Sequence, residues 1–171
     1  MIKNFEFYHG TVFTKLIHHS EKPISISRFM TSSNASYILN GSTGVYIKHS
    51  HKRLTPWHFT LSKTHQDEIF QMRGQLQEVF LLLVCGEDGI VALSYDELKE
   101  VLDEIYKPTE WISVARNKRK EYTVKGSDGV LSYKVSKHDF PRKIIESTDK
   151  AIQIIKQETK HNYSADALTI N

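Results

Sequence analysis

The chain of 171 residues carries one cysteine, and no aspartate or glutamate occurs between Glu21 and Asp67. A lone cysteine excludes an intrachain disulfide and every zinc site built on cysteine pairs. Cys85 sits inside an apolar run with no cation beside it to stabilise a thiolate, so it reads as a buried, unreactive thiol. Long apolar runs are missing as well. The run from Val79 to Cys85 is too short to span a bilayer, which takes about 20 residues. The opening Met-Ile-Lys-Asn-Phe-Glu lacks the apolar core of a signal peptide. Together these absences point to a cytoplasmic protein with no membrane partner.

What is present is a core and an uneven charge map. Val79 to Cys85 does not alternate, which predicts a strand buried on both faces. The turn Gly86-Glu87-Asp88-Gly89 leads into Ile90 to Leu93, a second strand of a hairpin. The net charge of +3 divides sharply along the chain. Residues 1–66 hold eight Lys or Arg against two acids, residues 67–110 three against eleven, and residues 111–143 nine against three. Segregation of this kind raises local potentials that attract anions while the whole chain stays near neutral.

The remaining elements follow from periodicity and punctuation. Asn4 to Tyr8 alternates and predicts a short strand broken at His9-Gly10, with a helix from Thr11 to His19. Tyr37 to Asn40, Val45 to Ser50 and Trp57 to Leu61 predict strands, and Lys63 to Arg73 a helix ended by Gly74. Ser94-Tyr-Asp-Glu97 is a capping-box pattern before a helix with Leu98, Val101, Leu102 and Ile105 on one face. Trp111 to Ala115, Tyr122 to Val124 and Val130 to Val135 predict a three-stranded meander, and a helix over about Ile144 to Glu158 follows Pro141. The expected fold is one α+β domain over residues 1–160, of order α-βββ-α-ββ-α-βββ-α, with a mixed, mostly antiparallel sheet. Residues 161–171 read as a loose tail.

The densest chemistry is Lys48-His49-Ser50-His51-Lys52-Arg53, followed by Trp57 and His58. On a strand, Tyr46, Lys48 and Ser50 share one face, and Val45, Ile47 and His49 the other. Cations beside aromatic rings suit nucleic acid: the cations meet phosphates, and rings such as Trp57 stack on bases. Trp57 following Pro56 also fits core or rim packing. A second basic run, Arg116, Lys118, Arg119 and Lys120, lies at a hairpin tip of the meander. If both runs fall on one side, a polyanion is the natural partner. Other readings of the same residues are narrower. His49 and His51, with His58 or His65, have the residue types of a metal site, but no carboxylate lies nearby in sequence, and no metal or cofactor is expected. His49 and His51 also have the types for acid–base cleavage of RNA, with Lys48 stabilising the charge. The acids Asp96, Glu97, Glu100, Asp103 and Glu104 form a helix face over 94–105 that is solvated or meets a basic protein partner.

Two family resemblances bear on these residues. A helix, three strands, a helix and a further strand, over roughly residues 10 to 93, resembles the core order of the restriction-endonuclease-like PD-(D/E)XK superfamily. In that superfamily an Asp and an acidic-x-Lys triplet bind Mg²⁺. Here the nearest match is Tyr46-Ile47-Lys48, with Tyr in place of the acid and Asn34 or Asn40 where the Asp would fall. Mg²⁺ prefers anionic oxygens, so the resemblance implies a degenerate member that holds nucleic acid without cutting it, unless acids from the 67–110 block fold back. Phe7-Tyr8-His9-Gly10-Thr11 resembles the His-Gly-Thr strand end of ADP-ribosyltransferases. That resemblance implies an NAD-using enzyme with His9 on the ribose, Tyr37 or Tyr46 stacking on nicotinamide, and Glu121 as the catalytic carboxylate.

Overall fold

Twelve of the fifteen residues from Val79 to Leu93 form the middle of the molecule as two strands, β5 (Glu78–Cys85) and β6 (Gly89–Ser94). The structure, a computed structural model, describes residues 1–166. The elements before β5 are α1 (Asn4–His19), β1 (Ile26–Arg28), β2 (Ser36–Leu39), β3 (Thr43–Ser50), β4 (Trp57–Thr60) and α2 (Lys63–Gln75). Those after β6 are α3 (Tyr95–Val101), β7 (Trp111–Ala115), β8 (Thr123–Gly126) and α4 (Asp139–Asp166). The chain is an α+β domain with a five-stranded sheet of order β1-β2-β3-β5-β6 and a three-stranded sheet of order β4-β7-β8. Every strand pairing is antiparallel except β3 with β5, which runs parallel across the crossover through α2.

The lack of alternation in β5 has a direct cause. One face of the large sheet packs Val45, Ile47, Phe80, Leu82 and Val84 against Val12 and Leu16 of α1 and Ile144 of α4. The other face packs Tyr46, Leu81 and Leu83 against Ile69 and Met72 of α2, Leu98 and Val101 of α3, and the small sheet. With both faces covered, every residue from Val79 to Cys85 is buried, as a sandwiched strand requires.

Ser94 caps α3, accepting from the Glu97 N–H at 3.2 Å, while the Glu97 carboxylate accepts from the Ser94 N–H at 2.7 Å. This is the reciprocal arrangement its sequence predicts. Ser94→Ala should lower stability by about 1 kcal/mol, measured by urea unfolding.

Several expectations are corrected. Asn4 to Tyr8 belongs to α1, because Phe5, Tyr8, His9 and Val12 continue one helical stripe and Gly10 is tolerated within it. An additional short strand, β1, lies in the expected connector. The helix α2 runs through Gly74 to Gln75. The third meander strand is reduced to single bridges, Tyr122 to Val135 and Lys125 to Val130, and β4 supplies the third strand of the small sheet instead. Ile105 lies beyond α3 and is exposed. Of the expected loose tail, residues 161–166 continue α4, and residues 167–171 lie outside the described residues.

Candidate functional site

The two basic runs are brought side by side. β4 pairs with β7 in the register Trp57 to Val114, so the loop entering β4 abuts the loop leaving β7. The Arg116 N–H donates to Thr55 Oγ1 at 3.0 Å and joins the two loops directly. Beneath them Gly86, at φ +56, closes against the Lys52 carbonyl: a Cβ there would sit 2.4 Å from that oxygen. Only glycine fits both the left-handed backbone and the approach. Arg53, Lys118, Arg119 and Lys120 are exposed and enter no ion pair among the described residues. Lys52 is exposed and its ammonium donates to the Pro56 carbonyl at 2.9 Å.

Two of the expected contact residues serve from below. Trp57 is 2% exposed, within the core, and offers no ring face to a base. Its indole N–H donates to the Lys52 carbonyl at 2.8 Å, so it anchors the basic loop. Arg116 is paired with Asp88 through two guanidinium nitrogens, the Nε contact at 2.7 Å, and lies over the Tyr122 ring. Asp88 also accepts from the Tyr122 hydroxyl at 2.7 Å. Arg116 further donates to the Lys120 carbonyl at 3.3 Å, bracing the tip that displays Lys118 and Arg119. Its charge is engaged inside the protein, in a bidentate pair with the Asp88 carboxylate. The signal for this was Asp88-Gly89 in the hairpin turn, which the sequence offers only as turn chemistry.

Lys48 and His49 lie apart from the loops, in a cleft on the edge of β3. The strand β2 pairs with β3 no further than Ser36 to Tyr46, and the Ile47 N–H reaches the Ala35 carbonyl at 2.9 Å. Beyond that point the edge of β3 is uncovered. A cavity of about 390 Å³ opens there, lined by Phe5 and His9 of α1, Ser33 to Ala35, Lys48, His49, and His65 of α2. Lys48 Nζ lies 3.3 Å from His65 Nδ1. Burial lowers the pKa of Lys48, although Glu68 opposes the shift. Burial, with the neighbouring cation Lys48, also lowers that of His65. His49 is lowered by burial and by His51 and Lys48, and it stacks on Tyr8 at 4.4 Å between ring centres. His51 is exposed and its Nδ1 is 3.0 Å from the Tyr8 hydroxyl. Burial, helped by His49, holds His9 down at about 4, so it is neutral at pH 7.

An acid from the 67–110 block does fold back toward Lys48. Glu68, on α2 and 5% exposed, accepts from Ser32 Oγ at 2.6 Å, the Ser33 N–H at 3.0 Å, Ser33 Oγ at 2.6 Å and Tyr46 OH at 2.7 Å. Burial pushes this carboxyl up, but the four hydrogen bonds outweigh it and hold it below the usual carboxylate range. All of its strong acceptor positions are thereby used within the protein. Asn34 lines the cleft, whereas Asn40 turns away to accept from the Ser25 N–H at 2.7 Å. Among the described residues no three His, Cys, Asp or Glu side chains form a metal-binding group. His58 is exposed on β4, in the small sheet.

The other expected groupings are dispersed. His9-Gly10-Thr11 lies within a helix, where the ADP-ribosyltransferase motif is a strand end. His9 bonds Tyr37 OH at 2.8 Å, the Tyr46 hydroxyl is taken by Glu68, and Glu121 instead accepts from the Lys137 N–H at 3.2 Å. On α3, Glu97 turns inward, bonding Lys143 Nζ at 2.6 Å and Tyr133 OH at 2.7 Å, while Asp96, Glu100 and Glu104 stay exposed. Cys85 is buried and its thiol is pushed up by burial, as an unreactive core group. Among the described residues no helix is long and apolar enough to cross a membrane. With this geometry established, comparison with known proteins adds no relative: no family model, curated protein or solved structure matches the chain.

Proposed function

We propose that the protein is a nucleic-acid-binding domain of nuclease-like frame that holds its ligand without metal-dependent cleavage. The observation that carries this reading is the Arg116 to Thr55 contact, which joins the loops of the two basic runs into one cationic surface. Lys52, Arg53, Lys118, Arg119 and Lys120 meet phosphates there with the exposed His51 beside Lys52, and Lys48 and His49 contact the ligand from the separate cleft on β3. The chain order supports the frame in part: α1, three antiparallel strands of the large sheet, α2, then β5 parallel to β3, with β4 of the small sheet inserted before α2. Absence of cleavage follows from the donor set. Tyr46 stands where a metal-binding acid would be, and the Glu68 carboxylate is saturated by its four donors, so a divalent cation has no free anionic oxygen to bind in the cleft. A cytoplasmic setting belongs to the same reading.

Titration of a labelled oligonucleotide by fluorescence anisotropy, between about 50 and 200 mM salt, tests this. Each phosphate contact contributes close to one unit of log–log slope, so a Lys118/Arg119/Lys120 triple alanine variant should flatten the salt dependence by about three units. Absence of binding at low salt, or an unchanged slope, would refute the interface. Fragments appearing on incubation with Mg²⁺ or Mn²⁺ would refute the non-cleaving part alone.

A further inference from the structure

A single tyrosine arranges two histidines of the basic region as a pair. His49 and His51, at the end of β3, lie with ring centres 5.0 Å apart. Alternate residues of an extended chain project to one side, which brings both rings to α1. Tyr8 of α1 holds each of them differently. Its ring stacks on His49 with 10° between the planes, and its hydroxyl lies 3.0 Å from His51 Nδ1. These contacts leave the outer nitrogens open. Among the described residues neither ring nitrogen of His49 has a hydrogen-bond partner, and neither has His51 Nε2. His49 is half-buried, and burial together with His51 and Lys48 lowers its pKa, so it is neutral at pH 7 and can accept a proton. His51 is exposed. As an imidazolium it donates from Nδ1 to the Tyr8 oxygen and keeps a second proton on Nε2 for transfer.

We infer that His49 and His51 cleave RNA without a metal, His49 as general base and His51 as general acid. The inference rests on the binding function proposed above and concerns a reaction that needs no divalent cation. A pair of imidazoles moves protons but brings no attacking oxygen, so the substrate must carry its own. Of the two nucleic acids only RNA does, in the 2′-hydroxyl beside each phosphodiester. His49 takes the proton of that hydroxyl as its oxygen attacks the adjacent phosphorus. The bond from phosphorus to the 5′-oxygen breaks, and His51 Nε2 protonates the departing oxygen. The products are a 2′,3′-cyclic phosphate and a 5′-hydroxyl, with no change of oxidation state. Proton exchange with water returns both rings to their starting forms. Charge gathering on the phosphorus oxygens is met by Lys48, close enough for its own charge to act on His49. The flanking phosphates rest on Lys52 and Arg53, which follow His51 directly in the chain.

The test incubates the full chain in EDTA with a labelled RNA strand and, separately, with DNA of the same sequence. The RNA should yield fragments ending in a 2′,3′-cyclic phosphate, and the DNA should stay intact. With RNA saturated by protein, His49→Ala and His51→Ala should each slow cleavage by about 100-fold or more, the usual worth of a positioned acid or base. A sulfur in place of the bridging 5′-oxygen leaves without needing a proton. RNA carrying it should therefore be cut by His51→Ala at nearly the parent's rate, and by His49→Ala still slowly. Tyr8 is a positioning residue: Tyr8→Phe keeps the stack and loses the hydroxyl, so it should slow cleavage of ordinary RNA and spare the sulfur-bearing strand. No cleavage by the parent in EDTA, fragments without the cyclic end, equal rates in the parent and both histidine variants, or a His51→Ala variant that sulfur does not rescue overturns the inference while leaving the binding function standing. Binding to no oligonucleotide overturns both. Circular dichroism of each variant establishes that a lost rate is not lost fold.

Discussion

Asp88→Ala should destabilise the domain by about 2–3 kcal/mol, the cost of leaving a half-buried guanidinium and a tyrosine hydroxyl without their acceptor. Asp88 receives the Arg116 guanidinium through two nitrogens and the Tyr122 hydroxyl, and Arg116 has a side chain only 15% exposed. Alanine strands the guanidinium against the Tyr122 ring and leaves the Tyr122 hydroxyl without its acceptor. For a chain of this length the melting temperature should drop by roughly 5–10 °C. Asp88→Asn keeps an acceptor and loses the charge, so its loss should be smaller. The same change loosens the tip carrying Lys118 to Lys120, because Arg116 braces the Lys120 carbonyl. A melting temperature within a degree or two of the parent would show that the pair contributes nothing.

The second large effect is expected at Glu68. Glu68→Ala leaves the Ser32 and Ser33 hydroxyls, the Ser33 N–H and the Tyr46 hydroxyl without their acceptor beneath the cleft. With buried donors each costing on the order of 1–3 kcal/mol when unpaired, and partial rescue by water, a loss of about 3 kcal/mol is expected in denaturant unfolding. Glu68→Gln retains an acceptor and should lose less. The pH profile separates charge from packing. Glu68, Asp88 and Glu97 are held below the usual carboxylate range, by hydrogen bonds that outweigh burial at Glu68 and Glu97 and by Arg116 at Asp88. Their stabilisation is complete above the unfolded carboxylate values near 4 and is lost as pH falls through the lower folded values. His9 acts earlier. Unfolded, it takes a proton near pH 6.5, but in the folded protein only at about 4, so stability should begin to decline below about 6.5. Thermal melts from pH 8 to 3 should show this two-stage fall, with the acid stage reduced in Glu68→Gln. A flat profile would contradict the assigned environments.

Local signals in the sequence carried most of the elements. The non-alternating run Val79 to Cys85 and the Ser94 capping box each predict what forms, because the chemistry that specifies them lies within a few residues. The misread segments depend on distant partners. Asn4 to Tyr8 alternates as a strand would, but α1 buries His9 and Val12 against the large sheet, and that packing decides the state. The Val130 to Val135 segment has strand character, yet β4 takes the third place in the small sheet. The site divides the same way. Which residues are basic was legible; which of them face solvent was not. Trp57 and Arg116 read as ligand contacts because the Lys52 carbonyl and Asp88 that claim them come from other segments.

One feature of the topology constrains how the chain reaches this state. β4 leaves the large sheet and waits for β7, pairing Trp57 with Val114. Until the later segment arrives, a strand presenting Trp57 and Phe59 has an unsatisfied ladder on each side. High sequence separation of this kind slows folding and prolongs exposure of sticky intermediates. In the finished fold β4 stays at the edge of the small sheet, only four residues long and preceded by Pro56, two features that blunt an open edge against pairing with another copy.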